Sequence, residues 1–155
     1  MSAADSLYQQ LRGHLAYLKL AAAAEALPAA LDQAAAEKLN HTEFLQRLLA
    51  IEVDATEARR HAGRLRFANF PAPWRLEDYD FTAQPSVDPA LMRDLASCRF
   101  ATDATNVLLI GPPGVGKTHL AIALGHAAVD AGLRTCYCTA ADLAARCRRA
   151  ALQGR

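Results

Sequence analysis

The sequence predicts an α-helical N-terminal region followed by the start of an α/β domain built on a parallel sheet. Three observations predict it. Apolar residues recur at helical spacing up to residue 68, and prolines then interrupt residues 69–89. Beyond them residues 107–125, VLLIGPPGVGKTHLAIALG, pass from four apolar residues through a glycine-rich loop directly into helix. A helical unit, a connector and a strand-to-helix turn follow in that order.

The first helix rests on Leu7, Leu11, Leu15 and Leu18, with Asp5 or Ser6 able to cap its start. A second is expected after Pro28, with Leu31, Ala35 and Leu39 on one side and Asn40 at its end, the alanines at 21–24 acting as helix filler. The third is the longest. From Phe44, the residues Leu48, Ile51, Ala55, Ala58, Ala62 and Leu65 advance in alternating steps of four and three, and Asn40 with Glu43 has the spacing of a capping box. These helices are expected to form a domain over residues 1–68, as a compact antiparallel cluster or a partner-binding arm.

Pro71, Pro73, Pro85 and Pro89 cannot sit inside helices beyond the first turn, so residues 69–89 read as a connector. Asp88 caps the next helix, Pro89 occupies its first turn, and Leu91, Leu95 and Cys98 give it an apolar side. Val107, Leu108, Leu109 and Ile110 are short, apolar and branched, as expected of a strand buried on both faces of a parallel sheet. The helix after the loop carries Leu120, Ala121, Leu124 and Ala128, and Gly132 stops it. Residues 133–138 read as a second strand, and Thr139 caps a last helix through Asp142 and Leu143. Strand, loop, helix, strand, helix is the βαβα opening of a parallel α/β sheet, expected over residues 90–155.

Composition bounds the rest. A net charge of +1 argues against an overall basic nucleic-acid binder while leaving a local patch open. With 52% hydrophobic and 21% charged residues the chain is globular in character. Neither a signal-peptide pattern nor an apolar run of bilayer length is present, so a cytoplasmic address and no membrane partner are expected. Cys98, Cys136, Cys138 and Cys147 form no C-x-x-C pair and are expected to stay reduced, with Cys136 and Cys138 as core filler on one strand face.

The loop carries the chemistry. Gly111, Pro112, Pro113, Gly114, Val115 and Gly116 leave little Cβ bulk in the way, and glycines can take positive φ, so consecutive backbone N–H groups can turn inward as an anion cradle. Gly111, Gly116, Lys117 and Thr118 stand at the spacing G-x-x-x-x-G-K-[ST]. In that pattern the amides and the helix N-terminus hold phosphates, the lysine reaches the β/γ oxygens and the threonine hydroxyl ligates Mg²⁺. A nucleoside triphosphate is the ligand implied. Two further features admit two readings each. Arg59, Arg60, Arg64 and Arg66, with His61, crowd the end of the third helix, as cations matched to the helix dipole or as contacts to DNA phosphates. Phe70, Trp74, Tyr79 and Phe81 either anchor the connector to the next domain or place one ring against an adenine.

The segment GPPGVGKTHLAIALG, with FLQRLLAIE and the arginine-rich helix upstream, FPAPWRLEDYDF in the connector and TAADL after the second strand, resembles the IstB-like ATP-binding proteins. These are AAA+ helper ATPases of insertion-sequence transposition, related to DnaC-type helicase loaders. The resemblance runs from Leu18 onward. It implies a helical N-terminal region and an AAA+ module that binds ATP with Mg²⁺, assembles on DNA as an oligomer when full length, and regulates a partner transposase. It also implies that Gly111, Pro112, Pro113, Gly114, Val115, Gly116, Lys117 and Thr118 are the Walker A motif, with Lys117 on the phosphates and Thr118 on Mg²⁺. The family continues into a strand ending in Asp-Glu, a sensor strand and an arginine finger, which this sequence lacks. Asp142 follows a helix cap instead of closing an apolar strand and cannot substitute. The chain therefore reads as an N-terminal fragment, with ATP binding encoded and hydrolysis in doubt.

The leading expectation is an ATP-binding helper of DNA transposition. A replicative helicase loader shares the same module, and a non-catalytic remnant that only binds a partner is the rival from another class. A small-molecule kinase is disfavoured, because a fully helical region ahead of the loop offers no obvious phosphoacceptor site.

Overall fold

The computed structural model describes residues 3–154. Its regular structure is helical: α1 (Ala3–Tyr17), α2 (Ala21–Glu37), α3 (His41–Ala68), α4 (Pro89–Ala96), α5 (Arg99–Thr102), α6 (Lys117–Asp130) and α7 (Ala140–Leu152), with a 3-10 turn at Leu76–Asp78. The chain divides into two compact units, Met1–Arg60 and His61–Arg155. Among the described residues no helix is long and apolar enough to cross a membrane.

In the first unit Leu15, Ala23, Leu27 and Leu48 form the core, with Tyr8, Leu20, Ala24, Ala30 and Phe44 against it. The inward line of α1 runs through Tyr8 and Leu15, leaving Leu7, Leu11 and Leu18 exposed. Of the two expected caps, the side chain of Asp5 lies outside the described residues, and Ser6 sits inside a helix that already runs at Ala3, because alanines carry no propensity cost. Helix α1 ends with Lys19 at φ 61, and Leu20 N–H reaches the Leu15 carbonyl at 2.9 Å. The second helix starts at Ala21, not after Pro28. The alanine run nucleates it, and Pro28 is tolerated inside because it stands on the exposed side, where water can reach the carbonyl its ring leaves unpaired. Helix α2 stops at Glu37 with Lys38 left-handed, so Asn40 does not end it. Asn40 instead opens α3: its side chain accepts from Glu43 N–H and Glu43 accepts from its N–H, each at 2.9 Å, the expected capping box.

The buried line of α3 passes through Leu48 and Glu52 rather than through Ile51, which is exposed. Glu52 is 4% exposed and accepts from Ala23 N–H at 3.0 Å and from Arg59 at 2.8 Å. Leu20 offers α2 no side-chain cap, so a carboxylate from another helix takes a first-turn donor and sits at the positive end of the dipole. The Ala23 amide and the Arg59 guanidinium, against the opposing effect of burial, hold the Glu52 carboxyl below its ordinary 4.5. A lowered pKa stabilises the fold above the unfolded value, and that contribution disappears as pH falls through the folded value. Glu52→Ala is therefore expected to lower the melting temperature by several degrees at pH 7 in circular dichroism melts. The gap should narrow toward pH 3, and an equal gap at both pH values would contradict the carboxylate's role.

The second unit is centred on α6. Met92 of α4 packs on Leu120 and Leu124, joined by Leu76, Tyr79, Phe81, Val87, Leu95, Val107 and Leu109, while Leu91 stays exposed. Helix α4 opens as expected, Asp88 accepting from Ala90 N–H at 2.8 Å with Pro89 in the first turn. Ile122, Ala123, His126 and Val129 are also buried, so α6 is covered on more sides than the spacing of Leu120, Ala121, Leu124 and Ala128 implies, and Ala121 is exposed. Gly132, at φ 86, ends it with Leu133 N–H on the Ala128 carbonyl at 2.9 Å. The connector lies on this helix. Phe70 faces Gly125 so closely that a Cβ there would stand 2.6 Å from the ring, and Phe70 also packs on His126 at 4.4 Å between centroids. Asp130 accepts from His61 at 2.7 Å and from Arg75. Burial pushes the Asp130 carboxyl up, but these two partners outweigh it and hold the group below its ordinary value.

The expected parallel sheet is not borne out here. Residues 107–110 and 133–138 are non-helical, yet among the described residues no strand pairing forms. Apolar composition reports a wish for burial, whereas a strand exists only with a ladder partner, and sequential strands of a doubly wound sheet need not be neighbours. Nor is 107–110 buried on both faces. Val107 and Leu109 pack on the helices, while Leu108 and Ile110 are 79% and 84% exposed. In the second segment Tyr137 N–H donates to the Ala68 carbonyl at 2.8 Å, and Cys136 is exposed, not core filler.

Candidate functional site

Residues 111–116 join the extended 107–110 segment to the first turn of α6. Gly114 and Gly116 stand at φ 88 and 80, the left-handed region that a side chain makes costly. Gly111 lies close under the loop, where an added Cβ would touch Val115 Cγ2 at 3.4 Å. Gly116 caps α6 without any side chain, so the first-turn N–H groups of Lys117, Thr118 and His119 have no intrahelical acceptor and no side-chain cap. Such a terminus favours an anion by geometry and by dipole. Lys117, half-buried, donates across the loop to the Pro112 carbonyl, so its ammonium is held on the loop itself. Thr118 is exposed, and among the described residues its hydroxyl has no hydrogen-bond partner.

A cavity of about 510 Å³ opens beside the loop, with Gly111, Pro112, Val115 and Lys117 on one side and apolar residues including Leu91, Met92, Leu95 and Leu108 on the other. The structure thus brings four of the eight expected loop residues to one cavity wall. Pro113, Gly114, Gly116 and Thr118 complete the same turn without lining it.

The expected basic residues divide. In the first unit Arg59 is committed to Glu52 and Thr56, both at 2.8 Å, and Arg60 pairs with Glu57 at 2.7 Å on the surface. In the second unit Arg64 Nε is buried without a partner, while Arg66 is exposed with no ion pair among the described residues. Arg59 therefore serves the fold, and Arg60 and Arg66 carry the accessible charge.

The connector's aromatics behave as anchors. Trp74 stacks on His119 at 5.2 Å and 14°, Tyr79 meets His119 edge-on at 5.3 Å, and Phe81 meets Tyr79 at 4.9 Å. The Tyr79 hydroxyl donates to the Val115 carbonyl at 3.0 Å, a contact to the loop that the spacing of the motif does not reveal. Its only trace in the sequence is an aromatic cluster in a proline-rich stretch. Asp142 is spent on its helix: Thr139 accepts its N–H at 3.1 Å and donates to its carboxylate at 2.6 Å. The Thr139 hydroxyl and the Thr139 N–H, the latter at 3.2 Å, hold the Asp142 carboxyl below its ordinary value.

Against known proteins, the family model described as IstB-like ATP binding protein matches residues 13–155. The chain is 38% identical to an ATP-binding protein of insertion sequence IS5376 from Geobacillus stearothermophilus over 138 residues, covering 89% of this chain and 55% of that one. It is 49% identical to the IS21 ATP-binding protein of Pseudomonas aeruginosa over 107 residues, 69% of this chain and 40% of the relative. A third relative, from insertion sequence IS232 of Bacillus thuringiensis, is 34% identical over 148 residues, 96% of this chain and 59% of its own. The chain spans about half the length of the curated relatives it matches.

Proposed function

The chain belongs to the IstB-like ATP-binding protein family, and from that premise we propose that it binds ATP through residues 111–118 as the nucleotide-holding part of a DNA-transposition helper. One observation carries the reading: two left-handed glycines open directly onto an uncapped helix N-terminus with a lysine ammonium folded over the same loop. The loop amides and the α6 N-terminus would take the phosphates, Lys117 would exchange the Pro112 carbonyl for a phosphate oxygen, and Gly111, Pro112, Pro113, Gly114, Val115 and Gly116 form the turn that lets them approach. Thr118 fits Mg²⁺, because its hydroxyl is exposed and uncommitted at the first turn of α6. When bound, the ion neutralises phosphate charge. Binding is the step these residues supply, and the activity of the longer relatives is not needed for it.

Domain roles follow as part of the same reading: residues 1–68 act as a helical recognition region, 69–89 as the connector, and 90–155 as the opening of the ATP-binding module, whose segments 107–110 and 133–138 become strands once paired. A transposase is the partner, DNA the substrate surface, and self-assembly into an oligomer belongs to the same reading. Anisotropy of a fluorescent ATP analogue tests the core of it, since saturable binding displaced by unlabelled ATP is required.

DNA contact is proposed for the arginines of α3, Arg59, Arg60, Arg64 and Arg66, with Arg60 and Arg66 carrying most of it, since Arg59, though also exposed, is held by Glu52 and Thr56 and the Arg64 Nε is buried. Arg60→Ala/Arg66→Ala is expected to weaken duplex binding several-fold at low salt and to flatten the salt dependence by about 0.9 in slope for each phosphate no longer neutralised. Fluorescence anisotropy across a salt series measures both. Identical curves for the two proteins would return these arginines to matching the helix dipole.

A further inference from the structure

Tyr79 of the connector touches the loop, with a hydrogen bond and a steric wall together. Tyr79 donates its hydroxyl to the Val115 carbonyl at 3.0 Å. The peptide joining Val115 to Gly116 is trans, so its C=O and N–H point in opposite directions. Holding the carbonyl on Tyr79 therefore turns the Gly116 N–H away from the connector. The ring itself lies against Gly116, where a Cβ would stand 2.7 Å from Tyr79 Cε2. Gly116 is thus demanded twice, by its φ of 80 and by the ring behind it.

Tyr79 is in turn fixed on both flanks, by Phe81 at 4.9 Å and by His119 at 5.3 Å. His119 follows the loop's Thr118 on α6, donates through Nε2 to the Arg75 carbonyl at 3.1 Å, and stacks on Trp74. A change in the Val115–Gly116 peptide has a short mechanical route to the chain's one tryptophan.

We infer that Tyr79 is a positioning residue of the phosphate loop, fixing the Gly116 amide for a phosphate oxygen, and that it couples phosphate at the loop to the His119–Trp74 stack. This rests on residues 111–118 being a nucleotide site and adds the connector as the element that shapes and reads it. No bond is made or broken; the ligand class is any polyphosphate, with or without a base.

The test uses the full chain, wild type and Tyr79→Phe, which keeps the ring and deletes only the hydroxyl. A fluorescent ATP analogue is titrated by anisotropy, with tripolyphosphate as competitor. Both probes should bind about three- to tenfold more weakly to the variant, at an unchanged melting temperature. Equal losses for the two place the effect on phosphate rather than on the base, and the unchanged melting temperature separates it from a general loosening of the fold, which would weaken both probes alike. In wild type, saturating tripolyphosphate should also shift Trp74 emission, a readout independent of whether the variant folds. Variant affinities within about twofold of wild type, or unmoved Trp74 emission on a demonstrably bound wild type, overturn the inference and leave the nucleotide site standing. A wild-type chain that binds neither probe overturns both.

Discussion

Lys117→Ala should weaken nucleotide binding by about ten- to a hundredfold, the largest single effect expected in this molecule. The magnitude follows from removing a charge-assisted bond to phosphate, worth about 1.5–3 kcal/mol, at tenfold per 1.4 kcal/mol. Among the described residues Lys117 makes one polar side-chain contact, to the Pro112 carbonyl of its own loop, so the substitution should leave the melting temperature nearly unchanged. Direct titration of the fluorescent ATP analogue measures the loss. Lys117→Arg should restore little, because a planar fork replaces a point charge where the loop closes tightly. Retained affinity in Lys117→Ala would mean that the analogue binds elsewhere than at residues 111–118.

The second large effect is expected in residues 107–110. Among the described residues their N–H groups donate to no backbone carbonyl, while Leu108 and Ile110 face solvent. An unpaired apolar edge exchanges its amides quickly when alone and pairs with another chain when concentrated. On a monomeric sample these amides should exchange orders of magnitude faster than those of Ile122 to Val129 in the buried middle of α6. Raising the concentration should produce self-association, and Ile110→Lys should suppress it. Strong protection of 107–110 in a proven monomer would show a partnered segment and sink the expectation.

Much of this was legible in the sequence where the signal is local. The Asn40–Glu43 capping box, the Asp88 cap with Pro89, the Thr139 cap and the Gly132 stop each involve groups within a few residues of one another, and each forms. The glycines of the loop were legible for the same reason, since positive φ is a property of one residue. Nonlocal features were not. Pro28 reads as a helix start until the alanine run ahead of it is weighed, and nothing local to Glu52 announces its bond to Ala23, 29 positions away. The apolar run at 107–110 announces a strand, but a ladder requires a partner that composition cannot supply. Tyr79 could be marked as an aromatic anchor and no more, because its bond to Val115 spans 36 positions.

The fit of Phe70 on Gly125 constrains how this sequence can change. With a Cβ at 125 only 2.6 Å from the ring, any side chain there collides while Phe70 is present. A smaller residue at 70 removes the collision but opens a gap over His126. The two positions are therefore unequal steps of one path. Shrinking 70 first costs packing and is survivable, whereas enlarging 125 first forces backbone or ring out of place. Descendants of this chain that carry alanine or serine at 125 should have replaced the phenylalanine before acquiring it, and a library randomising both positions should recover large–small and small–large pairs while excluding large–large.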